Sequence, residues 1–564
     1  MYFYRRILVG VLWASVSPVA YPAQAEAAPV AAPNILLIVA DDLGYSDLGS
    51  YGGEIDTPSL DTLARRGAVF SQFYTASSCS PTRAMLLTGV DHHRVGFGML
   101  AEVRQSVHQH APGYEGELDP RAPTLAERLR KRGYYTVMAG KWHLGDTGAS
   151  TPVARGFDHS YSIAHGASSH FDDRGYMPSV PKVEHREDGA RVAVGADFYS
   201  SDFFVARIMR YLDDPAAQGK PFFAYLALTA PHYPLHAPRD LIDKYEARYS
   251  RGWDVVQRQR VRRLQSIGLL GRDRHAAQRA ANIPRWLALS TDERRFEARR
   301  MAVYAAMIER LDQDVGRLLQ HLKESGRLDS TLIVFMSDNG AEATELDTMP
   351  ALKTWYDKEF DNSFDTLGSA GSFVALGPAW AGVAATPFAG FKGLTREGGI
   401  RAPLIVAGPG VLRGWRTQSV NVADLSATLL AGAGIELPTA GASVAGELPL
   451  DGRAFLDLLG HVNQAPAQGR LYFETYGAAA VIDAGRWKAL RLGPPWSDGQ
   501  WRIYDLRTDP AELHDLSAAE RPRLTELIAA YSSYAKRVGI VAPEREPVMP
   551  WGYSNRYSRF GQQQ

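Results

Sequence analysis

One cysteine occurs among the 564 residues. It lies in Ser78-Cys79-Ser80-Pro81-Thr82-Arg83-Ala84-Met85-Leu86-Leu87-Thr88-Gly89. A single cysteine forms no intramolecular disulfide, so packing or chemistry must account for it. Pro81 suits the first turn of a helix, where its missing N–H would be unpaired anyway, and Ala84 to Leu87 continue that helix. Cys79 is therefore expected just ahead of a helix N-terminus, where free N–H groups and the dipole favour an anion. Arg83, one turn along, carries a planar fork of donors that can reach back to the same spot. The plainer alternative is a buried apolar thiol.

Other chemistry-bearing residues recur at the ends of apolar runs. Asn34 to Ala40 is continuous and β-branched, the mark of a strand buried on both faces, and it ends in Asp41-Asp42-Leu43-Gly44. Two adjacent carboxylates there are costly without a cation, and a helix cap or turn explains one Asp better than two. Tyr134 to Ala139 delivers Gly140-Lys141-Trp142-His143-Leu144-Gly145, Phe222 to Leu228 delivers Ala230-Pro231-His232, and Leu332 to Met336 delivers Ser337-Asp338-Asn339-Gly340. A fifth run, Pro403 to Ala407, is preceded by Lys392 and Glu397-Gly398-Gly399. Singly, His143 and His232 read as core histidines and Lys141 and Lys392 as surface charges. Together, at strand ends separated by helices, they describe an α/β sheet with its site along one edge.

The elements that position these residues include helices at Pro58 to Gly67 and, opened by the capping box at Thr124, up to Gly133. Met301 to Leu319 has apolar residues at helical spacing. Residues 248–300 hold fourteen arginines, no lysine and five acidic residues, read as a solvated insertion rather than a nucleic-acid surface. Residues 341–391, rich in Gly, Ala and aromatics, form a long segment expected at the rim of a substrate cleft or as a small core of its own. His165 and His170, in a Ser/Gly/His loop, are further candidates for lining the pocket. From Asp451 the texture changes to short strands and one closing helix, Arg521 to Val538. The expected domains are a catalytic part at 33–460, a C-terminal α+β part at 461–545 and a loose tail at 546–564. Residues 1–25 read as an export signal, with Arg5-Arg6, an apolar run and Ala23-Gln24-Ala25. Export implies a periplasmic or secreted bacterial protein without a stable membrane anchor. It also makes a lone thiol odd, since exported cysteines usually come in pairs. Charge is balanced, 62 Lys+Arg against 62 Asp+Glu, so no net field points to nucleic acid.

These stretches, in this order, resemble the type I sulfatases, the formylglycine-dependent members of the alkaline phosphatase-like superfamily. Asp91-His92-His93 and the Arg-rich insertion look most like the bacterial arylsulfatases, and Tyr504-Asp505-Leu506 with Asp509-Pro510 and Glu512 resembles the family's C-terminal motif. The resemblance implies α/β architecture, with a large mixed, mostly parallel sheet flanked by helices and a smaller C-terminal domain of antiparallel sheet and one helix. It implies that a formylglycine-generating (sulfatase-maturating) enzyme converts Cys79 to Cα-formylglycine before folding. The hydrate would then attack a small-molecule or carbohydrate sulfate ester. By the same resemblance, Asp41, Asp42, Asp338, Asn339 and the modified Cys79 hold calcium, in keeping with the preference of a hard ion for oxygen. Arg83 holds the hydrate, and Lys141 and Lys392 neutralise the sulfate. His232 is the general acid, assisted by Lys392. Asp338 is the base for attack, and His143 the base that frees the product. The alternatives are a phosphonate monoester or phosphodiester hydrolase on the same scaffold, and a catalytically silent calcium- and anion-binding relative with unmodified Cys79.

Overall fold

Asn34–Ala40 is the central strand of an 11-stranded sheet, and its side chains explain its composition. Leu36, Ile38 and Ala40 enter one hydrophobic core, and Ile35, Leu37 and Val39 enter the other. A strand covered on both faces has no polar side to display, so the run is apolar throughout. Each such buried Val, Leu or Ile contributes about 1.5–3 kcal/mol. The computed structural model describes residues 32–280, 283–438, 446–461, 469–545 and 552–560. The export signal expected at 1–25, and residues 462–468 at the expected domain boundary, lie outside these.

Parallel pairing runs from Thr331–Ser337 through Asn34–Ala40, Phe222–Ala227 and Tyr135–Lys141 to His159–Ile163. Arg401–Ala407 pairs antiparallel with Thr331–Ser337 on one side and with Ala68–Tyr74 on the other. Two reversals return Ala68–Tyr74 to the common direction, so the helix that follows it, Cys79–Thr88, starts at the same sheet edge as the other strand ends. The reversed strand presents its N-terminal end there instead. This is why Lys392 and Glu397 precede their strand, whereas Asp41, Lys141, His232 and Asp338 end or follow theirs.

The long helix is Thr291–Glu324, opened by a capping box between Ser290 and Glu293. The Arg-rich region is only partly solvated. Arg260, on the helix Trp253–Ser266, is fully buried, and Arg299 and Arg300 are buried as well. Arg260 grips both Glu54 oxygens at 2.8 Å and Asp47 Oδ1 at 2.6 Å. Residues 341–391 contain two helices, Pro350–Glu359 and Gly377–Ala384. Their aromatics divide. Tyr356, Phe360 and Phe373 pack with Tyr176 and Tyr233, while Trp380 packs with Trp253 and Trp286 in the main core.

The C-terminal strands Arg470–Thr475, Ala478–Asp483, Trp487–Arg491 and Trp501–Asp505 form an antiparallel sheet. The helix Arg521–Val538 covers one face through Leu527, Tyr531, Tyr534 and Val538. The other face packs on Tyr74 of the large sheet and on Ile400, just before the strand Arg401–Ala407, and the chain from Pro33 onward is one compact unit. Buried charges reinforce the seam. Lys488 lies 2.8 Å from Glu397 and 2.7 Å from Glu512. His93 faces Asp91 at 3.1 Å through Nδ1 and Glu474 at 2.9 Å through Nε2, and Tyr534 donates to Asp91 at 2.8 Å. With carboxylates on both ring nitrogens, His93 is a latch between the two sheets. Within the stretch expected as a tail, residues 552–560 make contacts with the catalytic part. The Gly552 N–H donates to Thr344 Oγ1 at 3.0 Å, Arg556 pairs with Glu345 at 2.9 Å, and Tyr557 is buried with its hydroxyl on Glu297 at 2.5 Å.

Candidate active site

Cys79 is the first residue of its helix, behind Ser78 as N-cap, and Ser78 to Arg83 are all buried. Its Sγ donates to Asp41 Oδ1 at 3.4 Å. Burial pushes the thiol well above its usual range, outweighing the attraction of Lys141 and Lys392. As a cysteine it is therefore a poor nucleophile, because the thiolate is the attacking form.

The charged side chains interlock around it. Lys141 Nζ lies 2.7 Å from Asp41 Oδ2. Arg83 Nε donates to Asp338 Oδ2 at 2.9 Å, and its Nη1 donates to the Lys141 carbonyl at 3.2 Å and to Tyr225. Its Nη2 lies 2.8 Å from Asp338 Oδ2 and 3.8 Å from Asp41 Oδ1 but makes no hydrogen bond. The Asp42 N–H donates to Asp338 Oδ1 at 3.3 Å, and Asn339 Nδ2 donates to Asp42 Oδ1 at 2.6 Å. Lys392 Nζ is 2.9 Å from Asp42 and 3.4 Å from Glu342. His232 Nε2 is 3.4 Å from Asp42, while its Nδ1 meets the Tyr233 carbonyl at 2.8 Å. Asp42 and His143 both have left-handed backbones, φ 65° and 54°, a strained state for non-glycine residues that recurs at functional sites. Gly340 is required by proximity. A Cβ there would stand 1.8 Å from the Gly398 carbonyl oxygen, where Asp338-Asn339 and Glu397-Gly398 pass each other.

The cluster is electrostatically unfinished. Burial alone would raise Asp41, but the charges of Lys141, His232, Arg83 and Lys392 hold it well below the carboxylate range. Burial, with Asp41, Glu342 and Asp338 nearby, drives Asp42 up to about 8 despite Lys392. Asp338 is also raised, by burial and Asp41. Asn339 Oδ1 is buried without a partner. Donor atoms of Asp41, Asp42, Cys79 and His232 all lie within 4.8 Å of one another. Crowded buried carboxylates beside an orphaned carboxamide oxygen fit a hard divalent cation.

All ten sequence-predicted residues meet here. Cys79, His143, His232 and Lys392 share a pocket with Glu102 and Glu342, and its other wall is Leu100, Val103, Tyr176, Met177 and Tyr233. Neither His165 nor His170 lines that pocket. His170 sits behind it, with Nδ1 on Ser200 at 2.6 Å and Nε2 on the His232 carbonyl at 3.1 Å. Sequence reasoning missed Glu102, which contacts His143 at 2.9 Å, and Glu342, which contacts Lys392. Glu342, two residues past Gly340, was open to suspicion as an acid directly beyond a site-bearing strand end. Glu102 lies in an unpatterned loop and carried no such signal.

A family model described as Sulfatase matches residues 33–435. An uncharacterized sulfatase of Schizosaccharomyces pombe is 39% identical over 533 residues, spanning 91% of this chain and 95% of that protein. An arylsulfatase of Klebsiella aerogenes is 39% identical over 423 residues, or 73% of this chain and 89% of that one. The crystal structure of Ps i-CgsB in complex with k-i-k-neocarrahexaose matches with a TM-score of 0.63 at 26% identity, covering 89% of this chain and 92% of that one. The family implies a divalent metal and a formylglycine, and the oxygen cluster around Asp41 and Asp42 suits such a metal. With the family model covering most of the chain and two relatives at 39% identity, the chain belongs to the sulfatase family and is a sulfatase.

Proposed function

We propose that this sulfatase hydrolyses sulfate monoesters, aryl sulfates foremost, to a phenol or alcohol and inorganic sulfate. In this reading Cys79 is the precursor of Cα-formylglycine, and calcium is the ion on Asp41, Asp42, Asp338, Asn339 and the modified Cys79. Formylglycine hydrate supplies an oxygen nucleophile with a second hydroxyl for releasing sulfate, and the cation lowers the pKa of a hydroxyl bound to it.

The protein's own residues do the remainder. Lys141 and Lys392 would bind the sulfate oxygens, their present partners Asp41 and Asp42 being residues that would hold the cation. Asp338, raised by burial, receives the proton of the attacking hydroxyl, and Arg83 fixes that carboxylate's orientation. His232 gives its proton to the leaving oxygen. Burial and Lys392 favour its neutral form, and an incoming sulfate favours the protonated one. His143 takes the proton that frees the product. Leu100, Val103, Tyr176, Met177 and Tyr233 offer an apolar, aromatic wall to the leaving group, which suits a phenol better than a heavily hydroxylated sugar.

The observation that carries this reading is Cys79 itself, a thiol held unreactive by burial yet set within reach of oxygen donors and two lysines. Conversion to an oxygen nucleophile by a maturating enzyme before folding gives that position a use. Export to the periplasm or beyond belongs to the same reading, because conversion removes the lone thiol. No helix among the described residues is long and apolar enough to cross a membrane.

Two measurements test it together: the mass of the Cys79 peptide from a formylglycine-competent host, and kcat/KM on an aryl sulfate against an aryl phosphodiester. The reading expects the aldehyde and a preference for the sulfate. An intact thiol with full sulfatase activity overturns the chemistry. A preference of orders of magnitude for the phosphodiester favours the phosphoester reading. Cation binding without turnover on a modified chain favours a silent relative.

A further inference from the structure

We propose that Glu102 is the positioning residue of His143, so that the proton acceptor for product release is a Glu102–His143 pair rather than a lone histidine. The proposal rests on the sulfate-ester reading above and adds to it a residue outside every recognised motif.

Glu102 lies in the short turn Ala101–Val103, on the loop that follows the Cys79 helix. That turn is anchored. Arg104 donates to the Ala101 carbonyl at 3.2 Å and to the Tyr114 and Glu115 carbonyls at 2.8 Å each. From it, Glu102 Oε1 meets His143 Nε2 at 2.9 Å. The histidine is fixed from the other side as well. Its carbonyl accepts from Ser80 Oγ at 2.8 Å, next to Cys79, and its backbone is left-handed. Gly166 leaves room for the ring, since a Cβ there would stand 2.7 Å from His143 Cε1.

These contacts assign the two ring nitrogens. A carboxylate only accepts, so Nε2 carries the proton and donates it to Glu102, and Nδ1 keeps its lone pair. His143 is more than nine-tenths buried, and Nδ1 has no protein partner. It is the one basic atom of this ring left for the pocket that His143 shares with Cys79. When Nδ1 takes the proton from the remaining hydroxyl of a sulfated, modified Cys79 side chain, the O–H bond breaks and an N–H bond forms. The freed electron pair would close the aldehyde C=O as the C–O bond to sulfate breaks and sulfate leaves, with the imidazolium charge against the Glu102 carboxylate. Burial alone would raise that carboxyl, but the hydrogen bond from His143, and its charge once protonated, lower it, while burial favours the neutral form of His143 until a proton arrives. The logic matches a hydrolase in which a carboxylate sets the tautomer and orientation of the histidine that moves the proton.

The plain alternative is that Glu102 only ties down its loop. Two measurements separate the roles. In the full-length protein with Cys79 unmodified, 15N NMR of histidine-labelled chain, with His143 assigned through His143→Asn, reads the ring tautomer without any catalysis. The expected wild-type state is Nε2–H, lost or mixed in Glu102→Ala. In the modified enzyme, the near-isosteric Glu102→Gln should keep the fast first release of phenol from an aryl sulfate. Its steady-state kcat should fall about 10²-fold, and its Cys79 peptide, quenched during turnover, should retain sulfate. An unchanged tautomer in Glu102→Ala overturns the proposal, as does an equal loss in both kinetic phases of Glu102→Gln. A wild-type enzyme without sulfate release overturns the underlying reading instead, so the two failures are distinguishable.

Discussion

The segment from Asp41 to Glu54 serves two buried charge clusters, and they are built on opposite terms. At its far end Asp47 and Glu54 surround Arg260. The guanidinium meets both Glu54 oxygens and Asp47, Tyr304 and the Gly44 N–H complete Asp47, and Tyr249 completes Glu54. The carboxylate oxygens all have donors there, and Arg260 holds Glu54 below its usual range, although burial still raises Asp47. At the near end Asp41 and Asp42 meet Lys141, Lys392, Arg83 and Asp338, yet Asn339 Oδ1 and His143 Nδ1 stay unpartnered and Asp42 is pushed up to about 8. A finished cluster is architecture. An unfinished one, equally buried, has the donor set that the proposed cation and anionic substrate would complete.

The sharpest way to break this comparison is to neutralise one member of the unfinished cluster. Asp42→Asn should lower kcat/KM on an aryl sulfate by about 10³-fold or more, while the cation-free protein melts no lower than wild type, since a crowded carboxylate has gone. Chelating divalent cations should likewise abolish wild-type turnover and lower Tm, with Tm recovering on re-addition. Asp42→Asn should show little of that shift. A chelator-insensitive enzyme would undo the contrast.

Arg260→Met should do the reverse. Removing the one cation from two buried carboxylates costs about 3–5 kcal/mol, read by denaturant unfolding, with kcat/KM almost unchanged below the transition. A large kinetic loss at full folding would show that the two ends are not separate in function.

The seam between the sheets adds a pH handle. His93 is raised to about 9, its pairing with Asp91 and Glu474 overcoming burial. A folded pKa above the unfolded 6.5 means its stabilisation is fully present below about 6.5 and lost as pH rises through about 9. This amounts to about 3 kcal/mol at most. Tm of His93→Gln should be lower than wild type at pH 6, and the gap should close by pH 10. The smallest effect is expected at the tail. Tyr557→Phe removes a hydroxyl on Glu297 and should cost about 1–2 kcal/mol with activity intact.

The parallel strands and the residues at their ends were legible because a doubly buried strand leaves an unbroken apolar run with chemistry at its end. Lys392 was legible as a charge gathered with Asp42 at the same sheet edge. The reversed direction of Arg401–Ala407 had a signal too, since its polar residues come before the strand. Ala68–Tyr74 went unread because Ser71 and Gln72 interrupt its pattern, though its pairing with three segments makes it indispensable. Arg260 read as solvated because its partners lie more than 200 residues away in sequence. Glu102 was illegible for a similar reason. A single acid in a turn acquires meaning only when His143, from another strand end, is folded against it.

The burial of Cys79, 2% exposed, has a consequence in time. Asp338, Asn339 and Lys392, which share its enclosure, are made last, roughly 300 residues after it. At about 5–20 residues per second this leaves some ~15–60 s between synthesis of the thiol and synthesis of the residues that seal it. A second protein acting on that side chain has this interval, and any delay in folding added to it. The linear order of the gene thus keeps the position accessible early and encloses it late.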